Sequence, residues 1–141
     1  MSSVTICSYE RFVEEEIKPL YESVGWTSYL RYPDLLKNAY AHSLKTLAAY
    51  KNGQLVGIIR SVGDGVSILY VQDLLVHSAC QRMGIGTLLI KEMLQLYPDV
   101  NQVVLLTDDT AGMIHFYEAA GFQLVQKAGC CSLIRLHQCY Q

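Results

Sequence analysis

A chain of 141 residues, 51% hydrophobic and 17% charged, suits one packed domain and excludes a disordered tail. A net charge of −2 without any block of Lys or Arg excludes the electrostatic footprint of a nucleic-acid binder. The cysteines, Cys7, Cys80, Cys130, Cys131 and Cys139, include no Cys-x-x-Cys pair, so no metal site is expected and reduced thiols are the reading.

Residues 4–9 read as a short strand, and 10–24 as a helix whose Ile17, Leu20, Tyr21 and Val24 share one apolar face. Pro19 removes a backbone donor there, which predicts a kink or a helix in two pieces. Gly25 and Trp26 break the pattern. A second helix is expected from Pro33 to about His42, with proline in its first turn. The period then changes. Residues 46–51, 55–62 and 67–76 are strand-like, joined by Asn52-Gly53 and Asp64-Gly65, turn pairs that tolerate positive φ. This predicts an antiparallel meander.

A glycine-bearing loop, Gln81-Arg82-Met83-Gly84-Ile85-Gly86, opens the next helix, with Ile85, Leu88, Leu89, Met93 and Leu96 on one face and Pro98 as its stop. A buried strand is expected at 103–107. Asp108 or Asp109 can cap the following helix, which turns Met113, Phe116, Tyr117 and Ala120 inward and ends at Gly121. Residues 122–127 and 132–136 read as a last hairpin around Ala128-Gly129. The fold class is therefore α/β (α+β), a mixed, mostly antiparallel sheet with helices on both faces, in the order β-α-α-β-β-β-α-β-α-β-β. One domain, 1–141, is expected. The start at Met1 lacks the basic and apolar regions of a signal peptide, and no apolar run reaches membrane-spanning length, so the expected location is the cytoplasm.

The loop at 81–86 carries most of the chemical information. Backbone N–H groups at a helix start are unpaired, and the helix dipole adds positive charge to them. Glycine lets those groups approach a bulky anion, which makes a diphosphate cradle. Leu89 stands where a dinucleotide fingerprint needs its third glycine, and the G-K-[ST] ending of a P-loop is missing. On local grounds a tight strand-to-helix turn needing two glycines is the alternative.

The run Gln81 to Gly86 resembles the Q/R-x-x-G-x-G/A loop of the GNAT family of N-acetyltransferases, and Asp73-Leu74-Leu75-Val76 resembles the strand leading into it. About 30 residues on, Phe116-Tyr117-Glu118-Ala119-Ala120-Gly121-Phe122 is similar to the family's second signature. The resemblance is sharpest over 66–127. It implies that pantetheine of acetyl-CoA pairs with backbone around Leu74, Leu75 and Val76, in a gap between the strands at 67–76 and 103–107. It implies further that Gln81, Arg82, Met83, Gly84, Ile85 and Gly86 hold the diphosphate, with the Thr87 hydroxyl assisting. Thr110 stands where the family often carries Asn, and Ser78 where Pro is common.

By the same resemblance Tyr117 is the acid that protonates the departing thiolate. The phenol suits that role, with an ordinary pKa of about 10. Asp73 is the first choice of base, because a carboxylate in an apolar strand is costly unless paired or useful; by alternation it would share a face with Val71 and Leu75. His77 and His115 are alternatives, with His115 expected on the surface. Cys80 reads as a small buried thiol, so direct transfer is expected. Trp26, Tyr29, Tyr32 and Tyr40 crowd the early helices, and Trp26 and Tyr29 are the candidates for an aromatic acceptor wall. The function so implied is acetyl transfer from acetyl-CoA to a primary amine of a small molecule or peptide, with no metal, nucleic acid or membrane involved. Related proteins are often dimers, although no pattern marks an interface here. A non-catalytic acyl-CoA sensor is the alternative, and a nucleotide-binding module ranks last.

Overall fold

The structure, a computed structural model, describes residues 3–137; Cys139 lies outside them. The chain divides into two compact units between Leu106 and Thr107. In the first, β1 (Val4–Ser8), α1 (Glu14–Ser23), α2 (Pro33–Ala41), β2 (Lys45–Lys51), β3 (Gln54–Gly63), β4 (Ile68–Val76), α3 (Ile85–Leu96) and β5 (Gln102–Leu105) follow in order. The sheet runs β1-β2-β3-β4-β5. All its pairings are antiparallel except β4 with β5, which is parallel.

Local sequence explains the turns. Asn52 and Gly53 both take positive φ, 53° and 74°, as a two-residue hairpin between twisted strands requires. Asp64 accepts backbone N–H bonds from Val66, Ser67 and Ile68, which closes the next turn. Pro33 sits at the start of α2, where its missing donor costs nothing. Pro19 lies inside α1, yet Glu14 to Ser23 is one helix rather than two pieces. That helix begins later than expected, so Pro19 forgoes one bond in a segment anchored by the fully buried Ile17, Leu20 and Tyr21.

Side chains alternate across a strand, so each face of the sheet has its own cover. Ala48, Ile58 and Leu75 pack with Ile17, Leu20 and Tyr21 of α1 and Leu36 and Tyr40 of α2. Their neighbours Ala49 and Gly57 face α3. A Cβ at Gly57 would lie 3.0 Å from Leu89 Cδ1 and 3.2 Å from Ile85 Cγ2, so a larger residue would push those side chains back by a few tenths of an ångström. On α3 the buried side chains are Ile85, Leu89, Ile90 and Met93. Leu88 and Leu96, expected inside, are 43% and 51% exposed, because the covered stripe turns toward Ile90 instead.

A bulge changes the register where it matters most. Arg60 pairs with Asp73, but Ser61 pairs with Val71, which leaves Gln72 as the extra residue of β4. Asp73 therefore shares the α1/α2 face with Leu75, while Val71 follows Ser61 to the α3 face. Simple alternation, which puts Val71 and Asp73 together, fails at this point.

In the second unit, α4 (Ala111–Ala119) is capped by Thr110 rather than by Asp108 or Asp109. Thr110 has the extended backbone a cap needs, and its Oγ1 accepts from the Met113 N–H at 3.3 Å. Of the four residues expected inward on α4, Tyr117 is the one that is buried. The expected last hairpin is absent among the described residues. Val125–Ala128 is a 3₁₀ turn closed by Gly129 at φ 79°, and Leu133 beyond it is 94% exposed. A local i→i+3 bond to the Leu124 carbonyl takes the Lys127 N–H that a ladder could have used. Among the described residues no helix is long and apolar enough to cross a membrane.

Candidate functional site

The strand-to-helix loop takes the conformation its glycine permits. Gly84 is the residue before α3, with φ 82°, and no side chain caps the helix. Nothing lies within 4 Å of where a Cβ on Gly84 would sit, so the approach to the helix start is open. The first bond of the helix ladder runs from Leu88 N–H to the Gly84 carbonyl, 3.0 Å, which leaves the N–H groups of Ile85, Gly86 and Thr87 ahead of it. Arg82 also has positive φ, 65°. Gln81, Arg82 and Met83 are exposed, and Gln81 Nε2 donates to the Val76 carbonyl at 3.1 Å, tying the loop back to β4.

The sheet opens beside this loop. β4 and β5 pair from Ile68 with Gln102 to Val71 with Leu105, and there the pairing stops. From Gln72 to Val76, β4 continues with β3 on one side and no β5 partner on the other. Leu74, Leu75 and Val76 lie on this open edge. An elongated ligand with amide groups fits such an edge, and a diphosphate fits the helix start next to it.

On the α1/α2 face, a cavity of about 230 Å³ is lined by Gly25, Trp26, Ser28, Tyr29, Gln72 and Asp73. It unites three residues singled out from sequence: Trp26, Tyr29 and Asp73. The two aromatic rings stand 6.4 Å apart at 46°, and each packs edge-on against Tyr21. Asp73 is 1% exposed. Its Oδ2 accepts from Arg60 Nε at 2.7 Å and from the Tyr21 hydroxyl at 3.4 Å. Its Oδ1 is buried and has no hydrogen-bond partner.

Arg60 escaped the sequence reading, and Tyr21 and Tyr40 entered it only as an apolar-face residue and one of the crowded aromatics. Arg60 Nη1 donates to Ser43 Oγ at 3.1 Å and to the Ala39 carbonyl at 3.4 Å, and the guanidinium lies 5.3 Å from the Tyr40 ring centre. The Tyr21 and Tyr40 hydroxyls are 2.7 Å apart. A charged residue inside the apolar run Ile58-Ile59-Arg60 was the available signal, since a buried cation needs a counter-charge. Burial pushes the Asp73 carboxyl above the usual carboxylate range, while the Arg60 guanidinium and the Tyr21 hydroxyl pull it back. Burial opposes the Arg60 charge, but Asp73 beside it keeps the guanidinium above its ordinary value.

In the second unit, Tyr117 is 8% exposed and packs edge-on against Phe116 and Phe122, with ring centres at 4.9 and 5.7 Å. Burial pushes its phenol up to about 12, so it remains a proton carrier at neutral pH. The Thr110 side chain is engaged in capping α4. His115 is exposed as expected. His77 Nδ1 accepts from the Ala79 N–H, and Cys80 is half-buried rather than a core thiol, being in an exposed 3₁₀ turn.

A family model for the acetyltransferase (GNAT) family matches residues 9–122. A GNAT family acetyltransferase of Streptococcus pneumoniae TIGR4 is 37% identical, with a TM-score of 0.86 over 96% of this chain and 99% of that one. A ycf52-like protein of Prochlorococcus marinus, described as an uncharacterized N-acetyltransferase, is 30% identical over 123 residues. That match takes in 83% of this chain and 66% of the relative, so the chain spans just under two thirds of its length. A GNAT family acetyltransferase of Elizabethkingia anophelis with acetyl-CoA bound shares the fold, with a TM-score of 0.67 and 15% identity over 86% of this chain and 76% of that one. With an open-edged β4 running into an uncapped helix start, and a family model spanning most of its length, the chain belongs to the GNAT acetyltransferase family.

Proposed function

We propose that this chain, acting as one acetyltransferase domain, transfers an acetyl group directly from acetyl-CoA to a primary amine. The observation that carries the reading is the free helix start behind Gly84, lying beside a stretch of β4 that has no β5 partner. The N–H groups of Ile85, Gly86 and Thr87 bind the diphosphate, and Arg82 adds a charge-assisted contact. Leu74, Leu75 and Val76 offer backbone groups to pantetheine. The acetyl-CoA in the Elizabethkingia anophelis relative supports the choice of ligand.

When bound, acetyl-CoA supplies the acyl carbon that the amine attacks and the thiolate that departs as the C–N bond forms. Asp73 receives the proton the amine loses; its raised affinity for protons suits a base. Tyr117 gives its phenolic proton to the thiolate sulfur and recovers one from solvent. Arg60 and Tyr21 are positioning residues that fix Oδ2 and so aim Oδ1.

Titration with acetyl-CoA, ATP and NAD tests the cradle, by calorimetry on the wild type and on Gly84→Val. A Cβ at φ 82° costs roughly 1–2 kcal/mol and intrudes on the open approach. Acetyl-CoA affinity should therefore fall about tenfold. Unchanged affinity in a folded variant would remove the diphosphate from this loop. Tight acetyl-CoA binding with no thiol release from any amine would leave a sensor in place of an enzyme.

A further inference from the structure

The two edges of the sheet are built differently. At one edge β1 alternates half-buried Val4 and Ile6 with exposed Thr5 and Cys7, the pattern of a strand with one face in water. At the other edge β5 carries Val103, Val104 and Leu105 in succession, the composition of an interior strand covered on both faces. Yet among the described residues β5 ladders with β4 alone, so its far side ends the sheet. Those three side chains are half-buried, and Leu106 after them is 50% exposed. No proline, lysine or bulge blunts this edge. An apolar strand edge left in that state is a template for another strand.

The C-terminal arm has the matching character. Residues 132–136, Ser-Leu-Ile-Arg-Leu, are in no ladder among the described residues. Leu133, Ile134 and Leu136 are 94%, 66% and 49% exposed, apolar surface that water does not stabilise. The segment is long enough to run along the four residues of β5. Charge favours the same match. Residues 122–137 include Lys127 and Arg135 and no acid, and Lys127 already meets Glu118 at 3.8 Å. β5 is bordered by exposed Asp99 before it and exposed Asp108 and Asp109 after it. Arg135 therefore brings positive charge to an acidic margin.

We infer that residues 132–136 of a second copy of this chain pair with the outer edge of β5, in a reciprocal exchange that makes a symmetric dimer. Each copy has one open β5 edge and one unladdered arm, so two copies meet both needs at once and the assembly closes about a two-fold axis. Main-chain bonds along β5 hold the arm, and its leucines cover the half-exposed valines. The inference goes beyond the acetyl-transfer reading and does not depend on it.

Sedimentation of the full chain, in reducing buffer so that exposed Cys130 and Cys131 do not link copies, should show a dimer at about 50 µM. Leu133→Pro and Ile134→Pro are made separately. Neighbouring N–H groups point to opposite sides of a strand, so one of the two prolines removes a ladder donor, and does so in both reciprocal interfaces. That variant should raise the dimer dissociation constant at least about 30-fold. Both positions are exposed, so the fold survives either change. Amide exchange across 102–106 then identifies whose arm is bound. Protection in the dimer should fall about tenfold or more on dilution to monomer, and to the same extent in the weakened variant. A wild-type monomer at about 50 µM, a dimer that neither proline weakens, or protection of 102–106 that does not change with protein concentration would overturn the inference; the last result would mean that each copy covers its own edge.

Discussion

Replacing Arg60 by Met should damage this protein more than any surface change, and the damage should depend on pH. Arg60 and Asp73 are 4% and 1% exposed and meet at 2.7 Å. Without the guanidinium, Asp73 keeps a single weak donor, Tyr21 at 3.4 Å, and stays out of reach of water. Removing one partner of such a pair costs about 3–5 kcal/mol, a large fraction of the roughly 5–15 kcal/mol that holds a domain together. Methionine retains most of the stem's packing, so the loss reports the stranded charge. The guanidinium is the largest influence holding the carboxyl down; without it, Asp73 rises further above its unfolded value near 4. The folded variant then binds a proton that the unfolded chain does not, and stability is regained as pH falls toward 4. Adding Asp73→Leu removes the stranded charge and should restore most of the loss at pH 7. Urea unfolding of the three proteins between pH 5 and 8 measures all of this. A single variant within 1 kcal/mol of wild type, or a double variant no more stable than the single, would show that the pair carries no such energy.

Tyr117→Phe keeps the ring contacts with Phe116 and Phe122 and loses the phenolic proton. Steady-state assays should show kcat lowered about 100-fold at unchanged acetyl-CoA affinity; a full rate would remove Tyr117 from the chemistry. Alkaline pH should destabilise the protein through its buried phenols. The Tyr117 phenol is raised to about 12, and burial raises Tyr21 and Tyr40 in the same direction. A raised phenol contributes its stability below pH 10 and loses it as pH climbs through the folded value, on the order of 2–3 kcal/mol for Tyr117 alone. Denaturant midpoints should hold to about pH 9.5 and fall from pH 10 to 12; a flat profile would mean these phenols ionise as freely as in water.

Local chemistry was legible residue by residue. Asn52-Gly53, Asp64-Gly65, Pro33 and the Gly84 loop each impose backbone angles that depend on their own side chains, so their turns and helix starts sit where the sequence puts them. The tail was misread because 122–136 has the composition of strands, and composition cannot say whether a ladder partner is available. The stripe on α3 was misread at Leu88 and Leu96 because periodicity marks a face but not how wide its cover is.

The sequence alone therefore established the order of elements as far as α4 and the open turn before α3, because those follow from bonds between near neighbours. Only the tertiary structure decided that Asp73 turns away from Val71, that Arg60 meets it across the sheet, and that Trp26 and Tyr29 line one cavity with it. A single extra residue at Gln72 sets that arrangement. Strand register is a property of two segments together, and a one-residue slip sends each side chain beyond it to the opposite face.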